Sequence, residues 1–163
     1  MKRTICLAIV GLLMATSLMA SSDSSAMPSH DPFVGKWNLD VRHSKYPPGT
    51  CPKRMVIEME PAGEGISYHS DAMYMNGAQS QARYTADYNG KQVIVVGARG
   101  MLLPVSLKRI DSKLVEASYS RGFQVVAKSR RVISKDGRLM TITTTSMDAS
   151  GKGVTTIGIY KKE

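Results

Sequence analysis

Arg131 and Arg109 are the residues whose placement in the sequence points most directly to chemistry. In the alternating stretch from Gln124 to Ile133, Arg131 shares the parity of Val125, Ala127 and Ile133, and Arg109 shares that of Val105 and Leu107. If those strands turn their apolar sides inward, both guanidinium groups enter a core. A buried guanidinium is costly unless an anion meets it, and its planar fork suits a carboxylate or another oxyanion. Three arrangements are open: an anionic ligand head group, an internal carboxylate, or a bulge that shifts the register and returns the arginines to solvent. Tyr68, Tyr84, Tyr88 and Tyr119 lie on the apolar parity of their own stretches, with Met55 and Met59. Such residues line a cavity with adaptable apolar surface and a few hydroxyls, or they are plain core.

Other chemistries find less support. His30, His43, His69 and Cys51 are too scattered for a zinc site, which takes about four closely placed ligands. Met73 and Met75, with His69 nearby, are soft ligands of the kind that suit Cu(I), but their spacing matches no recognised copper site. No Gly-x-Ser-x-Gly motif, Ser/His/Asp order or paired carboxylates can be assembled. The sequence therefore predicts a non-catalytic protein with no metal and no cofactor.

The elements that would position these residues are strands. From Phe33 onward the pattern is of period two, broken by turn residues every eight to twelve positions. Trp37, Leu39 and Val41 share one face, as do Met55, Ile57 and Met59. Asn76-Gly77, Asn89-Gly90, Asp111-Ser112, Arg121-Gly122, Asp136-Gly137 and the stretch 148–153 mark turns, and Asn89-Gly90 is the strongest hairpin signal among them. About ten strands joined by short connections predict an all-β, single up-and-down antiparallel β-barrel, because closure removes the exposed edges of so long a meander.

The 163 residues suit one such domain. Ahead of it, Lys2-Arg3, the apolar run Ile5 to Met14 and the small residues up to Ala20 read as a signal peptide over residues 1–20. The apolar run falls short of the roughly 20 residues that span a bilayer, and no other stretch could do so. Residues 21–32 read as a flexible lead-in and 33–163 as the barrel, exported to the periplasm or secreted. Cys6 would leave with the signal, so Cys51 has no internal disulfide partner.

The formal charge is +9, and its excess is concentrated between Arg99 and Arg138, which holds ten Lys and Arg. On one face, that set would make peripheral contact with anionic envelope surfaces; spread out, it would only keep the protein in solution. Export argues against nucleic acid.

Phe33-Val34-Gly35-Lys36-Trp37 resembles the Gly-x-Trp opening of lipocalins and fatty-acid-binding proteins. The blocks 106–111, 134–137 and 140–144, with Tyr160-Lys161, are similar to small exported bacterial lipocalin-like proteins of unassigned function. The resemblance implies a calycin-type barrel with structural roles for Gly35, Trp37 and Lys161, in which Trp37 plugs the closed end beneath a basic side chain from the last strand, here Lys161. Two departures stand out. The last strand reads Gly158-Ile159-Tyr160 where fatty-acid-binding proteins carry Arg-x-Tyr, and 42–52 is too short for their helical pair.

The functional expectation is a binding protein that holds a small apolar or amphipathic ligand inside the barrel, with Arg109 or Arg131 offered to an anionic head and Tyr68, Tyr84, Tyr119, Met55 and Met59 as lining. The competing expectation is a filled barrel whose basic face binds envelope polyanions or a protein partner.

Overall fold

A computed structural model describes residues 31–98, 100–148 and 150–163, so the expected signal peptide and nearly all of the lead-in lie outside the described residues. The strands are β1 (Gly35–Leu39), β2 (Pro52–Ala62), β3 (Gly65–Tyr74), β4 (Gln79–Asp87), β5 (Asn89–Val93), β6 (Val96–Gly97), β7 (Gly100–Met101), β8 (Val105–Asp111), β9 (Leu114–Arg121), β10 (Gln124–Ile133), β11 (Leu139–Met147) and β12 (Gly153–Lys162). Nine of these fall where alternation predicts strands, whereas the short apolar strand expected over 93–96 is broken, β5 ending at Val93 and β6 beginning at Val96. The two-residue strands β6 and β7 form a small extra hairpin beside β4.

All pairings are antiparallel, and the sheet runs in the order β5-β8-β9-β10-β11-β12-β1-β2-β3-β4-β6-β7. The first and last long strands meet, with Trp37 opposite both Ile57 and Lys162. The sheet thus curls round on itself and buries one face of every long strand.

The one place where the meander parts is Asn89-Gly90. The sequence predicts a hairpin there, yet β5 pairs with β8 and not with β4. Asn89 Oδ1 accepts from the Lys91 backbone N–H at 2.9 Å, Gly90 takes φ 80°, and the β5–β8 register slips between Asn89 and Gln92. The turn-forming pair makes a bulge instead of a two-residue turn, because Tyr88 just before it is held by Asp31. The Tyr88 hydroxyl donates to Asp31 Oδ2 at 2.7 Å. Buried Val95, ahead of β6, packs into the core beside the parted strands.

One end of the barrel is closed. Trp37 is fully buried among Phe33, Ile57, Met59, Leu107, Val115 and Met140, and its indole N–H donates to the Phe33 carbonyl at 2.9 Å. Lys162, not Lys161, places its Nζ 5.1 Å from the centre of the Trp37 ring. The correction follows from alternation: Tyr160 turns inward, so Lys161 faces out, where its Nζ lies 2.6 Å from Asp40 Oδ2, and Lys162 turns in again. Gly35 explains the glycine of the opening motif. At φ 132° it sits under Lys162, whose Cε would stand 2.7 Å from any added Cβ.

The short strap between β1 and β2 contains no helix. Lys45 pairs with Ile157 through two backbone hydrogen bonds of 2.7 Å, and the Ser44 hydroxyl accepts from the Ile159 N–H at 2.9 Å, which lays the strap across β12.

Candidate functional site

The inward rows set the site. In register, Tyr84 faces Tyr68 across β3–β4, Tyr119 faces Ala127 across β9–β10, and Arg131 faces Val115 on one side and Ile142 on the other. Alternation therefore carries Arg131 into the interior as expected, and only 2% of it is exposed.

There the guanidinium meets phenols. Nη2 donates to the Tyr84 hydroxyl at 2.8 Å and to that of Tyr119 at 3.4 Å, and Cζ stands 5.1 Å from the centre of the Tyr68 ring. Tyr68 and Tyr84 stack with centroids 4.6 Å apart and planes 12° from parallel. Nε and Nη1 of Arg131 are buried with no partner, as is the Ser129 hydroxyl two residues away on the same face. Among the described residues, Arg131 makes no ion pair with a carboxylate.

The electrostatics sharpen this. Burial pushes the Tyr68 and Tyr84 phenols up, against a smaller opposing pull from Arg131, so both are neutral at physiological pH. Arg131 keeps its charge, because a guanidinium ordinarily titrates far above physiological pH and the neutral Tyr84 and Tyr119 oxygens solvate one edge of it. The interior thus holds a full positive charge that is solvated by neutral oxygens on one edge and bare on the other.

Arg109 is in a different place. Its Nη2 lies 2.6 Å from Asp31 Oδ2, Nη1 donates to the Ser112 carbonyl at 3.3 Å, and the guanidinium covers the Tyr88 ring at 3.9 Å and the Phe33 ring at 5.6 Å. Of the arrangements open to it, Arg109 takes the internal carboxylate and ties residue 31 to the closed end. Its charge is met by Asp31. Met59 lies in the closed floor, whereas Met55 sits higher, its Sδ accepting from the Tyr160 hydroxyl at 3.3 Å.

No protein-family model matches the chain, and no curated protein matches it. Among solved structures it is similar to zebrafish ileal bile acid-binding protein complexed with cholic acid, with 16% identity and a TM-score of 0.54 over 81% of this chain and 99% of that one. The chain folds as a calycin-type barrel. In this calycin-type barrel, Gly158 stands where Arg-x-Tyr would place an arginine, and the space is used by tyrosines. A Cβ on Gly158 would lie 3.0 Å from the Tyr46 hydroxyl and 2.7 Å from the Tyr160 ring. The interior cation comes from β10 instead.

Alternation missed three members of the cluster. Ser129 could have been read from its parity with Arg131, and Tyr160 from its place two residues after Gly158. Tyr46 comes from the irregular strap and leaves no periodic signal. Of the described residues in the basic stretch 99–138, Arg131 is interior, Arg109 and Lys113 serve the closed end, and Lys108 and Arg130 both lie opposite Glu116 on the outer face.

Proposed function

We propose that this protein is an exported, non-catalytic carrier whose barrel holds a small amphipathic anion, with the ligand's head group on Arg131 and its apolar part against tyrosine and methionine. One observation carries this reading: among the described residues, a buried guanidinium has two unpartnered donors, phenols around it that stay neutral, and no carboxylate paired with it. Folded proteins rarely leave such a charge bare, because desolvation without a counter-charge costs several kcal/mol. A ligand carboxylate or sulfonate on Nε and Nη1 would satisfy both donors at once, and the Ser129 hydroxyl would add a third. On β3, β4 and β10 the inward residues beyond Arg131 are small, namely Ser70, Ala72, Ala82, Ala127 and Ser129, with Tyr119 opposite Ala127 and Met55 opposite Ala72. That the zebrafish protein of the same fold is complexed with cholic acid, itself an amphipathic anion, supports the same class of ligand. Export rests on the sequence of residues 1–20.

Titration calorimetry with a medium-chain fatty acid and the alcohol of equal chain length tests the anchor. The protein should prefer the carboxylate by at least about tenfold, and Arg131→Gln should abolish that preference while leaving alcohol binding in place. Equal affinities for acid and alcohol in the unmutated protein would remove Arg131 from the site.

A further inference from the structure

Strand alternation puts the connections β3–β4, β5–β8, β9–β10 and β11–β12 at the end of the barrel opposite Trp37. Two of these, β9–β10 and β11–β12, belong to adjacent hairpins in the sheet and carry an unusual surface. Gly122, at φ 58°, and Phe123 occupy the apex of the β9–β10 turn, closed by the Arg121–Gln124 pair. A turn apex normally takes small polar residues. Phe123 is nevertheless fully exposed and touches no core residue, and Met147, at the end of β11, is 73% exposed. Val125 and Leu103 are exposed beside them; the Pro104 carbonyl accepts from the Ser120 N–H at 3.1 Å, which sets Leu103 against the top of β9.

Between the two turns lies an open groove of about 710 Å³, with Val125, Ala127 and Met147 along it and Arg121 and Lys128 at its sides. Lys152 stands in the β11–β12 turn. The acid nearest them is Asp148, and its carboxylate is taken up by its own turn, accepting from the Ser150 N–H and hydroxyl and from the Lys152 N–H at 2.6–3.0 Å. The tip is therefore apolar at the β9–β10 apex and at Met147 on the end of β11, with basic side chains around both.

We propose that this hairpin-tip end docks on an anionic lipid bilayer, with Phe123 and Met147 entering the interface and Arg121, Lys128 and Lys152 facing acidic head groups. The charge sign selects an anionic surface, and a fully exposed aromatic side chain at a turn apex with exposed Met147 beside it suits a soft interface better than the flat complementary face of a protein partner. The proposal is independent of the ligand reading, since Arg131 lies inside the barrel and takes no part in it.

Co-sedimentation with vesicles of phosphatidylcholine containing roughly 30% phosphatidylglycerol, and with pure phosphatidylcholine, provides the test. Binding should require the anionic lipid and weaken as salt rises. Phe123→Ser should reduce it at least about tenfold, the loss expected when one aromatic side chain no longer enters the interface. Phe123→Trp should keep binding and show blue-shifted emission on vesicles, above the constant signal of buried Trp37. Arg131→Gln should bind vesicles as the unmutated protein does, which separates this proposal from the carrier reading. No binding to the anionic vesicles, equal binding to both compositions, or binding unchanged in Phe123→Ser would overturn the proposal. So would a dimer of the unmutated protein that Phe123→Ser dissociates, which would give the tip to a second copy.

Discussion

Arg131 shows how far residue-level reasoning reaches. Its parity with Ala127 and Ile133 is enough to turn it inward, but parity says nothing about what waits there. Arg109 has the same inward signal and a different fate, because its counter-charge, Asp31, lies 78 positions away in a segment with no periodic pattern. The difference between a tied arginine and a bare one depends on that distant partner, which is why it was not legible in the sequence. The bare arginine also has an energetic signature. Replacing a buried charge that has no ionic partner by an apolar side chain of similar length should relieve desolvation, so Arg131→Met in the ligand-free protein should raise unfolding stability by about 1–4 kcal/mol in urea titrations. A loss of about 3 kcal/mol would mean that the hydrogen bonds to Tyr84 and Tyr119 make Arg131 a structural tie.

At the scale of elements, alternation located nine of the strands, since each buries one face and period two is a direct consequence. What it missed depends on tertiary contacts. Asn89-Gly90 has the composition of a hairpin turn, but the tethered Tyr88 draws β5 to β8 and leaves the pair as a bulge. Lys161 and Lys162 exchanged roles because a shift of one residue inverts a strand's faces. The strap between β1 and β2 has neither period nor motif, yet it supplies Tyr46 and Ser44. Its anchor is Asp40, whose carboxylate meets Lys161 at 2.6 Å and His43 at 2.8 Å. The hydrogen bond from Lys161, then that from His43, holds the Asp40 carboxyl down at about 2. A carboxyl depressed in the folded state contributes stability that is present above its unfolded value near 4 and is lost as pH falls through about 2. Melting temperatures should therefore separate the unmutated protein from Asp40→Asn above pH about 4 and bring them together towards pH about 2. A gap that stays constant across that range would show that the ion pairs do not hold the strap.

Taken whole, the molecule is polarised along its axis. The Trp37 end is packed solid and tied by Asp31, Arg109 and Lys162, whereas past Arg131 small inward residues of β3, β4 and β10 stand beside Tyr119 and Met55, and the far end carries exposed Phe123 and Met147 among basic side chains. Calycin architecture was readable from strand count, short turns and the Gly35-Lys36-Trp37 opening. The polarity was not, because it arises from which turns share an end and which inward positions share a height. It gives the protein a closed floor and a charged middle layer, the order the proposed carrier needs. The most direct test of that account is native mass spectrometry of the protein purified without detergent from cells that export it, followed by solvent extraction and repeated with Arg131→Met. The account predicts a reproducible added mass that extraction identifies as an amphipathic acid and that Arg131→Met loses. A clean ligand-free mass that takes up nothing from a total lipid extract, or an added mass retained by Arg131→Met, would contradict it.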